Sequence, residues 1–361
     1  MKTFPNCIKL LYLVLLCLII LIIYIFSGIQ IKNVNIKEIV QRAIAKPGPI
    51  SCYRLGGRSL PDISEAKSVK DKSIFFLETS CNSYKNDKII LQPRQACAVE
   101  SAALNNPDYN VYLLFVSSGI IKDEDDESDR ILKAMLTYKN VHLHHLDYAK
   151  YTNGTPVENL YKERKVEESK YSQSHASDVL RYLTMWKYGG VYLDLDVISL
   201  KSLSDLPANF AALEDSSTVG SAILAFSSNN SGHEFAQMCL EDLKDNFRGD
   251  VWIHNGPGVI TRLLTKLCEV QSSNEMVTRN CRGFKVFSPE KFYPVHYNYW
   301  QTYFDIKSID FIKEVTNNSY FMHIWNNLSG ATKIPITTEV PYTMFAKKFC
   351  PKVFAECKEL F

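Results

Sequence analysis

An α/β domain is the fold class this sequence predicts, on three observations. Short β-rich apolar runs, Ile74 to Leu77, Val111 to Val116 and Val141 to Leu146, are interleaved with a helical segment around Gln95 to Leu104. Ala176, Val179, Leu180, Leu183 and Trp186 recur at helical intervals, so that segment turns one apolar stripe toward a core. Gly189-Gly190 then stops the helix, and Val191 to Leu195 reads as a buried strand carrying Asp194 and Asp196 at its carboxyl end, where open α/β sheets bind ligands. Strand and helix alternating toward such a strand suggest a nucleotide-binding sheet. With 361 residues, 46% of them hydrophobic, the chain can bury one large core or two modest ones. No internal repeat is seen.

At the N-terminus, Lys2 and Lys9 flank the start of an uncharged apolar run, Leu10 to Phe26. A span over 8–26 is long enough to cross a bilayer, and the lysines keep a tail of residues 1–7 on the cytoplasmic side. A cleaved signal peptide fits less well, because Ser27-Gly28 is a poor cleavage site and the apolar run is long for one. A single-pass type II anchor is therefore expected. Residues 27–72 read as a polar stem broken by Lys46-Pro47-Gly48-Pro49 and Gly56-Gly57, and residues 73–361 as the lumenal domain. Of ten cysteines, Cys7 and Cys17 fall in the tail and anchor. Cys52, Cys81, Cys97, Cys239, Cys268, Cys281, Cys350 and Cys357 form an even set suited to a disulfide framework whose pairing is open, and none has zinc-site spacing. Sequons at Asn153, Asn229, Asn317 and Asn327 suit the same compartment. The acidic run Asp123 to Asp129 reads as a solvated loop, and His142 and His144 as surface residues on one strand face. A formal charge of +2, with no basic stripe among aromatics, excludes nucleic-acid binding driven by bulk electrostatics.

Two carboxylates one residue apart at a strand end can both turn toward one hard cation. Oxygen ligands suit Mn²⁺ or Mg²⁺, which keep coordination positions free for phosphates. Alone, Asp-x-Asp is a weak signal; the preceding helix makes it specific. Ser174 is its expected N-cap, and Asp178 and Arg181, three residues apart, share one face.

The stretch SHASDVLRYLTMWKYGGVYLDLD, Ser174 to Asp196, resembles the Asp-x-Asp sugar-binding region of a retaining glycosyltransferase family. IFFLETS (74–80), RQACAVESAA (94–103), NGPGVITR (255–262), FYPVHY (292–297) and HIWNN (323–327) follow the order of blocks in the lactosylceramide 4-α-galactosyltransferase and α1,4-N-acetylglucosaminyltransferase family. The resemblance covers about Ser73 to Pro351. It implies a GT-A-like, Rossmann-type nucleotide-diphospho-sugar transferase domain behind an N-terminal transmembrane helix, with the IFFLETS strand against the nucleotide.

Within that frame Asp194 and Asp196 hold the metal, and His323 is either a third ligand or a packed core residue among Phe321, Ile324 and Trp325. Asp178 and Arg181 are expected to reach the donor, a carboxylate accepting from sugar hydroxyls and a guanidinium forking onto phosphate, or else to form a structural ion pair. Tyr182, Asn255 and Gly256 are further donor-binding candidates, Tyr192 is expected in the core, and a catalytic role for His254 is doubtful. The 254–258 loop opens onto a helix whose free N–H groups would suit an anionic or hydroxyl-rich ligand. Glu214 and Asp215, after the run Phe210 to Leu213, are the carboxylates nearest in sequence to serve the anomeric carbon, and no nucleophile is identified. Most of the cluster Tyr293, Tyr297, Tyr299, Trp300, Tyr303 and Phe304 is expected in the core, with stacking on sugar open to the rest.

The expectation is a Golgi-membrane enzyme that moves galactose or an N-acetylhexosamine from a UDP-sugar to a lactosylceramide-like glycolipid in α1,4 linkage. It would use Mn²⁺ or Mg²⁺, and homo- or hetero-oligomers with other glycosyltransferases remain open. A catalytically silent Golgi partner that retains another enzyme, and a sugar-binding module, are the alternatives from other classes.

Overall fold

The computed structural model describes residues 48–67 and 70–361. The expected anchor, its flanking tail and half of the stem lie outside the described residues. No helix among the described residues is long and apolar enough to cross a membrane. The compact unit begins at Gly48, earlier than the expected domain start at residue 73. Cys52, Tyr53 and Ile63 explain the difference: all three are buried, and Cys52 is disulfide-bonded to Cys81. The end of the expected stem is thus part of the folded unit.

The strands are β1 (Ser73–Glu78), β2 (Asn110–Phe115), β3 (Val141–His145), β4 (Gly190–Leu193), β5 (Val197–Ser199), β6 (Phe210–Ala212), β7 (Ile223–Phe226), β8 (Lys285–Phe287) and β9 (Phe321–His323). The longer helices that matter here are α1 (Pro93–Asn105), α2 (Glu127–Met135), α3 (Ser172–Tyr188), α4 (Asn230–Asn246) and α5 (Pro257–Leu267). A seven-stranded sheet runs β3-β2-β1-β4-β7-β6-β8, and β5 pairs with β9 in a separate ribbon. β3, β2, β1 and β4 are parallel, while β7 joins β4 antiparallel. The sheet is therefore mixed, with a parallel half.

Every residue of β1 is buried, which is why its sequence is a continuous apolar run rather than an alternating one. Ile74 and Phe76 face one hydrophobic cluster, with α1 and the C-terminal segment; Phe75 and Leu77 face the other, with α3, α4 and α5. The chain builds β1, β2 and β3 outward on one side, then returns to lay β4 on the other side of β1. The strand order reverses at the β1–β4 boundary, and a crevice at such a switch point lies outside the strands' carboxyl ends.

α3 begins at Ser172 after Tyr171, so Ser174 lies inside the helix rather than capping it. The Gly-Gly stop stands as expected. Gly189 and Gly190 have φ of 66° and 87°, and a Cβ on Gly190 would lie 2.3 Å from the Ser73 carbonyl oxygen of β1. Only glycine lets β4 turn in so close to β1.

Among the described residues three disulfides form, Cys52–Cys81, Cys97–Cys350 and Cys268–Cys281, and Cys239 and Cys357 are buried free thiols. Asp123 to Asp126 form the exposed loop expected, but the run turns helical and inward from Glu127. Asp126 caps α2, and Asp129 is buried with the Lys88 ammonium 3.1 Å away. His142 and His144 are half-buried on the edge strand β3, where both rings pack against Tyr112. The block 94–103 clamps the C-terminus: buried Glu100 accepts from the Lys352 and Val353 backbone N–H groups, and Arg94 donates to the Ser329 carbonyl.

Candidate active site

A cavity of about 800 Å³ opens at the switch point. Glu78 and Thr79, from the end of β1, form one side, and Asp194 and Asp196, after β4, form the other. Asp178 and Arg181 reach it from α3, Glu214 and Asp215 from the loop after β6, and His323 from β9.

The geometry of the candidate metal site arises from the small ribbon. Val197 and His323 are register partners in β5 and β9, so pairing brings the His323 ring beside Asp196. Asp196 Oδ1 lies 3.1 Å from His323 Nε2, and its Oδ2 accepts from the Asn326 backbone N–H at 2.7 Å. Burial alone would raise the Asp196 carboxyl, but His323 and the Asn326 N–H hold it below the ordinary range; burial would lower His323, and Asp196 raises it instead. Ligand atoms of Asp194, Asp196 and His323 all lie within 4.8 Å of one another. His323 Nδ1 is buried without a hydrogen-bond partner among the described residues. Two carboxylates and an imidazole at this spacing fit a divalent cation.

Arg181 fixes the other half of the site. Its guanidinium donates to the Ser221 carbonyl (2.7 Å) and hydroxyl (2.8 Å) and to the Ser177 hydroxyl (3.0 Å). It also lies 3.3 Å from Asp178 Oδ1 and 3.4 Å from Asp194 Oδ1. Tyr192, in the core as expected, donates its hydroxyl to Asp194 Oδ1 at 2.5 Å. Burial raises the Asp178 carboxyl to about 7 against the opposing pull of Arg181. The helix-face pairing read from sequence is thus an ion pair that also borders the cavity.

The two adjacent carboxylates after β6 separate into different roles. Asp215 accepts from the Ser217 N–H, the Ser217 hydroxyl and the Thr218 N–H, so it shapes a turn. Burial pulls its carboxyl up, but those donors hold it below the ordinary range. Glu214 carries no such side-chain bonds among the described residues, and burial raises it to about 7 despite the attraction of His323. Glu214 is the carboxylate left free to meet a ligand.

Three expected donor contacts are not in the cavity wall. Tyr182 is fully buried and donates its hydroxyl to the Gly256 carbonyl at 2.8 Å. Asn255 is fully buried, with its amide exchanging bonds with the Arg248 backbone. A Cβ on Gly256 would lie 2.3 Å from Asp178 Oδ1. Gly256, held by Tyr182, thus packs closely behind Asp178. The N–H groups of Gly258 and Val259 bond the Ile253 and Gly256 carbonyls, so they are not free for a ligand at the start of α5. His254 bonds the Asn246 carbonyl, outside the cavity wall. Of the aromatic cluster, Tyr293 and Tyr303 are buried, Trp300 and Phe304 are half-buried, Tyr297 borders the cavity, and Tyr299 is 66% exposed.

Glu78 escaped the sequence reading. It is 2% exposed, accepts from the Ser80 N–H, and leaves Oε2 buried without a hydrogen-bond partner among the described residues; burial raises it to about 7. Its only signal in the sequence is an acid ending an otherwise apolar strand. Trp325 is the second surprise: it holds φ of 54°, uncommon for a bulky residue, with its indole N–H on the Val295 carbonyl and its ring edge-on to His323.

Two family models match. Residues 92–213 match a glycosyltransferase sugar-binding region containing the DXD motif, and residues 228–357 match an alpha 1,4-glycosyltransferase conserved region. Mouse lactosylceramide 4-alpha-galactosyltransferase is 31% identical over 312 residues, covering 86% of this chain and 81% of that one. The chain belongs to the α1,4-glycosyltransferase family. Human alpha-1,4-N-acetylglucosaminyltransferase is 27% identical over 290 residues, 79% of this chain and 80% of that one. The apo glycosyltransferase GlyE of Streptococcus pneumoniae is similar in structure at a TM-score of 0.43 and 12% identity, covering 80% of this chain and 63% of that one, too loosely to add to the assignment. As a family member the chain is a glycosyltransferase, and the motif in the first matched region is Asp194-Leu195-Asp196, which implies dependence on a divalent metal. Asp178, Arg181, Asp194 and Asp196 are all in place, and nothing supports a catalytically silent protein.

Proposed function

We propose that this glycosyltransferase moves galactose or an N-acetylhexosamine from a UDP-sugar, with retention, to the terminal sugar of a lactosylceramide-like glycolipid in α1,4 linkage. The observation that carries the reading is one cavity with the Asp194–Asp196–His323 triad on one wall and the unengaged Glu214 carboxyl on another. The relatives' names supply the linkage and the acceptor class.

Asp194, Asp196 and His323 would hold Mn²⁺ or Mg²⁺, which when bound supplies neutralising charge to the departing diphosphate. Arg181 keeps Asp194 oriented and holds the Asp178 carboxyl where it can accept from donor hydroxyls. Glu78 and Thr79 meet the nucleoside side of the donor, across the crevice in a GT-A-like arrangement. Glu214 faces the reacting sugar and stabilises positive charge as it grows at the anomeric carbon. Front-face transfer then needs no protein nucleophile, because the departing phosphate can take the acceptor proton. Leu10 to Phe26 would anchor the protein in the Golgi membrane with this domain in the lumen, near lipid-borne acceptors.

The test is transfer by the detergent-solubilised full chain with Mn²⁺, across UDP-galactose, UDP-GalNAc, UDP-GlcNAc and UDP-glucose, with lactosylceramide as acceptor. An α1,4-linked product from one donor supports the reading and names the sugar. A β-linked product would refute retention.

A further inference from the structure

A second hollow, of about 490 Å³, continues from the donor cavity, and the two share Thr218 and Ile253. Its floor is one face of α5: Gly258, Thr261, Arg262 and Thr265 recur at helical spacing, with exposed Lys266 beside them. Its starting point is chemically informative. The Thr218 carbonyl accepts from the Glu214 N–H at 2.9 Å, and the Thr218 N–H donates to Asp215 at 2.8 Å. The groove therefore leaves the donor cavity at the turn that presents Glu214, where an acceptor hydroxyl must arrive.

The lining is rigid and amphipathic. Arg262 is clamped by Asp242 and donates to the His254 carbonyl, so its stem forms a fixed wall. The Thr261 hydroxyl accepts from the Val219 N–H, and the Thr265 hydroxyl donates to the Thr261 carbonyl. With the polar atoms engaged, these side chains offer chiefly apolar surface. Ile253, 52% exposed, lines both hollows, and its neighbour Trp252, 38% exposed and held edge-on by Tyr171, lines the donor cavity. Fixed apolar patches beside an indole and an ammonium suit the apolar face and hydroxyl edge of a pyranose ring.

We propose that this groove is a second acceptor subsite, holding the sugar next to the one that receives the transferred residue. The enzyme then reads at least a disaccharide, and α5 contributes to acceptor specificity. The inference rests on the glycosyltransferase reading above and adds where the acceptor lies. An acyl chain is the other occupant of comparable width, and the experiment separates the two.

The full chain is assayed with a soluble β-galactoside, a soluble lactoside and lactosylceramide, with hydrolysis of the UDP-sugar in the absence of acceptor as the donor-side readout. The wild type is expected to show a KM for the lactoside at least tenfold below that for the galactoside. Thr265→Trp, on a part-exposed helix face, fills the groove; it should raise the lactoside KM to the galactoside value and leave the galactoside KM and donor hydrolysis unchanged. Lys266→Glu, at an exposed position, should raise the lactoside KM several-fold with the same selectivity. Equal KM values for the two soluble acceptors in the wild type, or no change of lactoside KM in either variant, overturns the proposal. An effect confined to lactosylceramide overturns it in favour of an acyl chain. Donor hydrolysis with no transfer to any acceptor overturns the subsite while leaving the donor site standing, and neither hydrolysis nor transfer removes the parent reading as well.

Discussion

His323 Nε2 lies 3.1 Å from Asp196 Oδ1 although the two residues are far apart in the chain. The β5–β9 ribbon makes the contact: Val197 pairs with His323, and the Ile324 N–H donates to the Asp196 carbonyl at 3.1 Å. The ribbon therefore brings His323 to the candidate ligand pair that follows the large sheet's β4.

Removing either carboxylate should disable the site, whereas removing the imidazole should weaken it. Asp194→Ala and Asp196→Ala are expected to lose the Mn²⁺-dependent gain in UDP affinity and to lower transfer by about 100-fold or more, and His323→Ala to lower metal affinity by about 10- to 100-fold. Calorimetric titration of UDP with and without Mn²⁺ reads this directly. Unchanged Mn²⁺ dependence in His323→Ala would leave it as a packed core residue.

Arg181 is buried between Asp178 and Asp194, so its loss strands charge rather than merely deleting a contact. Arg181→Met should destabilise the protein by about 3 kcal/mol or more. Adding Asp178→Asn should recover part of that loss, because the stranded carboxyl is then gone. Arg181→Lys keeps the charge but loses the fork onto Ser177 and Ser221, and should retain most stability while lowering turnover by about 10-fold. Denaturant unfolding of the single and double variants gives the coupling energy, which should clearly differ from zero.

Cys97–Cys350 closes a loop across a sequence separation of 253, beside the Glu100 clamp on the C-terminal helix. Replacing both cysteines by alanine should cost about 2–5 kcal/mol, seen as a lower melting temperature under non-reducing conditions. Breaking Cys268–Cys281, with a separation of 13, should cost less.

The pH dependence of stability should carry the mark of Glu78. Its carboxyl is raised by burial from 4.5 to about 7 in the folded protein. The native state thus binds that proton more tightly than the unfolded chain. The stabilisation is complete below about pH 4.5 and is lost as pH rises through about 7. Glu78→Gln keeps the shape without the ionisation, and should be more stable than wild type at pH 8 by up to about 3 kcal/mol, a difference that vanishes near pH 4. Melting curves of the two proteins from pH 4 to pH 8 test the sign; a constant difference would refute it.

The parts of this fold legible in sequence are those fixed by local periodicity. β1, β2, β3, α3 and the Gly-Gly turn into β4 follow from apolar runs and helical spacing, and they place Asp194 and Asp196. β6, β8 and β9 are three residues each, too short for any period to register, and they position Glu214 and His323. Tyr182 shows a different limit. It follows Arg181 directly, yet one residue is about 100° around a helix, enough to move it from the cavity face to the core. Asn255 and Gly256 sit in a loop whose inward side depends on what packs behind it, and that proved to be Tyr182 and Asp178. Disulfide pairing is a property of the finished packing and leaves no trace in spacing.

Glu214 and Asp215 looked equivalent as adjacent acids, and their surroundings separate them. Asp215 is spent on the Ser217–Thr218 turn, while Glu214 points into the cavity with the turn holding its backbone. Glu214→Gln should leave melting and UDP affinity near wild type and lower the turnover number by about 100-fold, because charge stabilisation at the reacting centre is felt in the transition state more than in the ground state. Asp215→Asn keeps an acceptor for the turn and should reduce turnover by less than about 10-fold. Asp215→Ala loosens the turn, so its defect should appear first in acceptor KM, through Thr218, and only secondarily in turnover. Steady-state kinetics on the three variants decide the assignment: full activity in Glu214→Gln would remove that carboxyl from the reaction, and a larger turnover loss in Asp215→Asn would transfer the role to its neighbour.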